Sequence, residues 1–234
     1  MVALTDLAHD PLLAALFLDI DGVLAPIVDQ PADALVPDET KDELRRLAAR
    51  YALVACVTGR PSADARRLVG VPELEYAGEH GLELDPEAAH WSSRIQAFAD
   101  ATGLEADRKT RSVAFHYRTA TDPAAARAAL VDVERAAQAE GLWTRWGRMV
   151  LEVLPPVAAS KGTAVAQLLS ERGLHRALYA GDDSTDLDGF AALDGLEVAI
   201  RVAVASSDGP AELQQRADIV VISTAELLEL LRQL

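Results

Sequence analysis

Short runs of apolar residues recur toward both ends of this chain, and each is followed by a stretch whose apolar positions fall three and four apart. The first pattern predicts buried strands and the second amphipathic helices, the alternation of parallel βαβ units. LFLDI at 16–20 reads as a strand. DETKDELRRLAAR at 38–50 reads as a helix, with Asp38 near its start and basic residues toward its end. ALVACVT returns as a second buried strand, SADARRLV as a helix and LEYAG at 74–78 as a short strand. The rhythm resumes late in the chain. SKGTAVAQLLSERG is a helix with Ser160 as N-cap and Gly173 as stop, and RALYA at 176–180 is the next strand. A helix through Phe190, a strand LEVAIRVA at 196–203, a helix around AELQQRA, a strand DIVVI and a terminal helix AELLELLRQL complete the series.

The middle has another rhythm. RSVAFHYR and RMVLEVLP alternate polar and apolar residues, as strands do when one face is packed and the other open. WSSRIQAFADATG and DPAAARAALVDVERAAQAEG read as helices beside them. The expected fold class is α/β: a Rossmann-like parallel core, 1–81 and 156–234, carrying an inserted open-faced α/β cap at 82–155.

Composition narrows the partners. A chain of 234 residues, half of them apolar, can bury one sizeable core with a large insert. A formal charge of -15 and a pI near 4.7 repel phosphodiester backbones and anionic lipid, so nucleic acid and membrane are excluded as expected partners and a small molecule is favoured. Apolar runs such as LLAALFL are far too short to span a bilayer, and MVALTDLAHD lacks a basic leader; a cytoplasmic location is expected. No obligate protein partner is implied. The single cysteine, Cys56, lies inside an apolar strand and is expected to be packed in the core.

Candidate chemistry sits where strands end. Asp19 and Asp21 lie two apart, after an apolar run and before Gly22. In open parallel sheets ligands bind beyond the carboxyl ends of strands, and Gly22 permits the sharp turn that would let both carboxylates leave the strand and converge. By itself the pair could be an Asp-Gly turn; an EF-hand loop is ruled out because its glycine stands sixth and here it stands fourth. Thr58, Gly59 and Arg60 follow the second strand and bring a hydroxyl, an approachable backbone and a guanidinium to the same edge, which is equipment for phosphate. Lys161 opens a helix. GDDSTD supplies Asp182, Asp183 and Asp186 in one loop, a like-charge cluster that calls for a divalent cation, and a hard cation with oxygen ligands and a substrate phosphate describes Mg2+.

Asp-x-Asp-Gly, Thr-Gly-Arg, Lys-Gly and Gly-Asp-Asp-x-x-Asp, in that order, resemble the four motifs of the haloacid dehalogenase superfamily. LFLDIDGVLAPIV, VTGRP, YAGEHGLE, VAFHYR, LEVLPPVAASKG and GDDSTD further resemble the trehalose-6-phosphate phosphatase family over nearly the whole chain. The resemblance implies a Mg2+-dependent phosphatase in which Asp19 is the nucleophile and Asp21 the general acid and base. It implies that the metal is held by the Asp19 carboxylate, the Asp21 backbone carbonyl and Asp182, with Asp183 and Asp186 in support, and that Thr58 and Lys161 hold the phosphoryl oxygens. In the cap, Ser112, Ala114, His116 and Arg118 are expected to share one face. His116, Arg118, Lys109 and Glu152 are candidates for sugar or phosphate contacts, as are Gly59 and Arg60 in the core. Glu152 has the strongest individual case, because an ionised carboxylate in an apolar strand needs a partner. Trp91, Trp143 and Trp146 are expected to be cap packing. Val23, Leu154, Leu187 and Glu79 depart from the family pattern, and two of these, Leu154 and Glu79, bear on the sugar pocket. The alternatives are a phosphatase for another sugar phosphate, such as sucrose phosphate or a glycosyl-phosphoglycerate, and, more remotely, a signalling receiver domain. Receivers are shorter, carry their phosphoacceptor on a middle strand and lack a cap.

Overall fold

The computed structural model describes residues 2–28, 33–147, 149–206 and 209–234. The chain divides into two compact units, Met1–Gly81 with Ala159–Leu234, and Leu82–Ala158.

The first unit holds α1 (Val2–His9), β1 (Ala14–Leu18), α2 (Asp38–Arg50), β2 (Leu53–Val57), α3 (Ser62–Val69) and β3 (Glu75–Ala77). After the second unit it continues with α6 (Lys161–Arg172), β8 (Arg176–Gly181), α7 (Asp186–Ala191), β9 (Val198–Val204), α8 (Ala211–Arg216), β10 (Ile219–Val221) and α9 (Thr224–Leu231). Its six strands form one parallel sheet in the order β10-β9-β8-β1-β2-β3. All five residues of β1 are buried, because a central parallel strand is covered on both faces. Leu16 and Leu18 of β1, Val54 and Cys56 of β2 and Leu178 and Ala180 of β8 join α1, α2, α3 and α9 in one apolar core. By the strand period of two, Phe17 and Tyr179 face the other side, where Tyr179 meets Phe190 of α7 edge to face at 5.9 Å. Cys56 is in the core as expected, and burial pushes its thiol far above the ordinary range.

Helix signals are honoured closely at α6. Ser160 accepts from the Thr163 N–H while the Thr163 hydroxyl accepts from the Ser160 N–H, a reciprocal capping box, and Gly173 ends the helix at φ 60°. Two differences are local. β1 begins and ends two residues before the expected LFLDI strand, so both aspartates lie beyond it; and α1, not foreseen, forms because Leu4 and Leu7 add to the core.

The second unit contains α4 (Pro86–Thr102), β4 (Asp107–Arg108), β5 (Val113–His116), α5 (Pro123–Ala139), β6 (Trp143–Gly147) and β7 (Val150–Leu154). Its sheet is antiparallel, in the order β4-β5-β7-β6. Val113, Phe115, Leu151 and Val153 face α4 and α5 and pack with Ile95, Phe98, Leu130 and Val133. The opposite face carries Ala114, Glu152 and Arg145 side by side across three strands. Arg148, the first residue of the expected RMVLEVLP strand, lies outside the described residues. Among the described residues, no helix is long and apolar enough to cross a membrane.

Candidate active site

The central strands β8, β1 and β2 are in register, Leu18 beside Ala180 on one side and Cys56 on the other, so whatever follows each strand emerges at one edge. Asp19 follows β1 with its N–H on the Ala180 carbonyl at 3.0 Å, Thr58 follows β2 with its N–H on Ala77, and Asp182 follows β8. Gly22 then turns the chain at φ 78°; a Cβ there would lie 2.1 Å from the Asp182 carboxylate, so only glycine admits this approach of two loops.

Asp19, Asp182 and Asp186 are buried and offer carboxylate oxygens all within 4.8 Å of one another. Lys161, itself buried at the first turn of α6, donates to Asp19 Oδ2 and to Asp186 Oδ1, both at 2.7 Å. Asp186 is saturated: Tyr179 Oη also donates to Oδ1 at 2.7 Å, and the Asp182 and Asp183 N–H groups donate to Oδ2 at 2.9 and 3.0 Å. It shapes the loop and holds the lysine, while Asp19 and Asp182 keep oxygens for another partner. Burial and the Asp186 charge, against Lys161, push Asp19 up to about 7. Burial with the Asp19 and Asp186 charges pushes Asp182 up to about 8. Burial opposes the Lys161 charge, but Asp186 and Asp19 outweigh it and raise the lysine above its usual range. Three carboxylates against one ammonium fit a hard divalent cation, because only an added positive charge lets all three ionise together.

The expected site residues distribute unevenly. Asp19, Thr58, Lys161, Asp182 and Asp186 come together at the sheet edge. Asp183 is exposed and accepts from the Ser184 N–H and hydroxyl. The Asp21 side chain lies outside the carboxylate group: Arg60 grips it through Nε and Nη2, each at 2.7 Å. The guanidinium expected to face phosphate therefore meets a carboxylate first. Tyr179 and Arg145 were not singled out by the sequence. The signal for Tyr179 is a phenol in an otherwise apolar strand, which needs a buried acceptor.

In the second unit Glu152 is nearly enclosed between Lys109 Nζ at 3.3 Å and Arg145, whose Nε and Nη2 lie 2.8 and 2.6 Å from Oε2. Burial opposes its ionisation, but these two cations outweigh it and hold the carboxyl below its usual range. His116 pairs with Asp107 at 3.6 Å. Tyr117 continues the apolar face of Val113 and Phe115 as expected, but β5 ends at His116, the Tyr117 N–H bonds Met149 O, and Arg118 lies beyond the strand, exposed in the turn that follows. Trp91 and Trp146 pack as expected, but Trp143 is half exposed.

Comparison with known proteins agrees with this arrangement. The family model for trehalose-phosphatase matches residues 17–104 and 95–218. A trehalose-phosphate phosphatase of Mycobacterium marinum is 34% identical over 210 residues, covering 80% of this chain and 53% of that protein. An uncharacterized glycosyl hydrolase of Mycobacterium tuberculosis is 35% identical over 213 residues, covering 80% of this chain and 16% of that protein. The chain thus spans about half, or less, of the length of these curated relatives. Among solved structures, trehalose-6-phosphate phosphatase of Aspergillus fumigatus superposes with a TM-score of 0.67 at 25% identity, covering 99% of this chain and 95% of that one. A trehalose-6-phosphate phosphatase related protein gives 0.74 at 23% identity, covering 93% and 95%. A haloacid dehalogenase-like hydrolase from Bacteroides thetaiotaomicron shares the fold at 0.65. With its carboxylate cluster at the end of a six-stranded parallel sheet and a family match running through both units, this chain belongs to the trehalose-phosphatase family.

Proposed function

We propose that the chain is a Mg2+-dependent phosphatase that hydrolyses trehalose 6-phosphate to trehalose and phosphate through an aspartyl-phosphate on Asp19. The observation that carries the reading is the Lys161 ammonium, buried and shared between Asp19 and Asp186 at 2.7 Å, beside the Asp182 carboxylate, which among the described residues forms no ion pair. Asp19 Oδ1 is fixed by the Ile20 N–H at 2.7 Å and Oδ2 by Lys161, so the carboxylate is held in one orientation, which supports its assignment as the nucleophile. In the first displacement an Asp19 oxygen forms the bond to phosphorus as the sugar oxygen leaves; in the second, water attacks the same phosphorus and frees Asp19.

Asp21 is assigned to protonate the leaving sugar oxygen and then to take a proton from the water. Arg60 now fills both Asp21 oxygens with donors, so this role requires the pair to open, and the guanidinium released is then available to the phosphoryl group. Thr58 and Gly59 are assigned to its oxygens, and Lys161 to offsetting the charge that gathers on Asp19 and phosphate. Asp19, Asp182 and the Asp21 carbonyl would hold Mg2+, with Asp183 and Asp186 in support; bound there, the ion would neutralise phosphoryl charge. We assign sugar selectivity to the second unit, with Lys109, His116, Arg118 and Glu152 as its candidate contacts.

The test is phosphate release across a panel of sugar phosphates that includes trehalose 6-phosphate, sucrose phosphate and a glycosyl-phosphoglycerate. Trehalose 6-phosphate is expected to be preferred, excess chelator to abolish turnover and added Mg2+ to restore it. Asp19→Asn should remove turnover even of an activated aryl phosphate; near-normal turnover by that variant would overturn the nucleophile assignment.

A further inference from the structure

The turn at 78–81 has an unusual backbone. Glu79 and His80 take φ of 49° and 56°, and Gly81 follows at 93°, so three successive residues are left-handed and two of them carry a Cβ. A side chain is disfavoured in that region, and glycine would serve better if the turn only had to reverse the chain. Such outliers persist where the surroundings over-determine them, commonly at functional sites.

What this backbone achieves is visible in its hydrogen bonds. The left-handed pair points two successive N–H groups back at the neighbouring loop: Glu79 donates to the Arg60 carbonyl and His80 to the Thr58 carbonyl, both at 2.9 Å. Thr58 in turn donates to Ala77 at 3.0 Å, and the Thr58 hydroxyl accepts from the Arg60 N–H at 3.2 Å. Both ends of Thr58-Gly59-Arg60 are thereby clamped. The His80 ring closes the middle, for a Cβ on Gly59 would lie 2.6 Å from Nε2 and 2.8 Å from Cε1. Gly81 presses on the other side, where a Cβ would lie 2.6 Å from the Ser160 carbonyl, the group that accepts from the Ala164 N–H and the Thr163 hydroxyl at the start of α6. One strained turn therefore touches two segments that carry Thr58, Gly59 and Lys161.

We propose that residues 78–81 form a positioning turn for the phosphoryl-holding loop, with the His80 imidazole as the brace that sets the Gly59 peptide. This rests on the assignment of Thr58 and Gly59 to phosphoryl oxygens made above. His80 touches no substrate in this scheme; it acts through Gly59.

The experiment compares wild type, His80→Asn and His80→Gly in the full chain loaded with Mg2+. Asparagine tolerates the left-handed backbone and glycine adopts it freely, so both keep the turn and remove the ring. Calorimetry with inorganic phosphate and steady-state kinetics with an aryl phosphate are the readouts. Phosphate Kd and aryl phosphate KM are expected to rise about tenfold in both variants with kcat changed less than threefold, a KM effect that a general loss of folded enzyme would not give. Phosphate affinity within twofold of wild type in both variants would reduce the turn to a connector and overturn the proposal. Failure of the wild type itself to bind phosphate or cleave the aryl ester would instead overturn the assignment of the loop, and the brace with it.

Discussion

Asp186 collects four donors, from Lys161, Tyr179 and two backbone N–H groups, so a carboxylate with two donors on each oxygen organises its neighbours Asp182 and Asp19, the latter with one donor on each. Tyr179 is the donor most easily removed. Burial and the nearby Asp186 and Asp19 charges keep its phenol protonated well beyond the usual range, and Gly189 leaves space for its ring, since a Cβ there would sit 2.3 Å from it. Tyr179→Phe keeps the ring and withdraws one hydrogen bond from a fully buried charge, a loss of about 1.5–3 kcal/mol. If about half of that is felt in placing Lys161 against Asp19, kcat on an aryl phosphate should fall roughly three- to tenfold, with Tm lower by several degrees. Unchanged kcat alongside a lowered Tm would leave Tyr179 a purely structural donor.

Among elements, the antiparallel sheet of the second unit shows how pairing creates a charge cluster that no single strand carries. Register sets Glu152 of β7 beside Arg145 of β6, and Lys109 reaches the same carboxylate from beyond β4. Because Glu152 is held below its ordinary range, its contribution to the stability of this sheet is present above the unfolded carboxyl value of 4.5 and lost as pH falls through the lower folded one. On the proposed sugar contacts, the same cluster would bear on selectivity. Glu152→Ala should lower kcat/KM for trehalose 6-phosphate about ten- to a hundredfold, the worth of a charge-assisted hydrogen bond, while sparing an aryl phosphate that needs no sugar contact. Measuring both substrates on one preparation makes the control internal: equal losses would show a damaged fold rather than a lost contact.

For the molecule as a whole, the carboxylate cluster ties stability to pH and, on the proposed metal site, would tie it to Mg2+ as well. The ordinary value for Asp19 and Asp182 is 3.8, and in the folded chain they stand at about 7 and about 8. The native state thus holds protons that the unfolded chain has released, so without metal stability should fall as pH rises from about 4 to about 8. Lys161, raised above 10.5, adds no slope within that window. Mg2+ held at this cluster, as proposed, would compete with those protons and should stabilise most where they have left. Thermal melts at pH 8 with Mg2+ near a hundred times its Kd should lie about 5–10 °C above melts in chelator, and the gap should narrow by pH 5.5. A gap of the same size at both pH values would show that the metal binds elsewhere.

Local signals were legible from the residues alone. The apolar runs located most of the strands, Ser160 and Gly173 bounded α6, and each motif residue could be set at the end of a strand or the start of a helix, because burial, capping and turning depend on neighbours in sequence. Such signals could not reveal that Arg60 takes Asp21, that Tyr179 serves Asp186, that His80 backs Gly59 or that Arg145 shares Glu152 with Lys109. Some of these contacts join distant segments, as Arg60 and Asp21 are 39 residues apart and Lys161 and Asp19 142, while Tyr179 with Asp186 and Arg145 with Glu152 are seven apart but on different elements; all exist only once those elements are packed and their register is set. Periodicity tells which face of a strand is buried; which side chain waits across the gap is decided by the packing of the whole sheet.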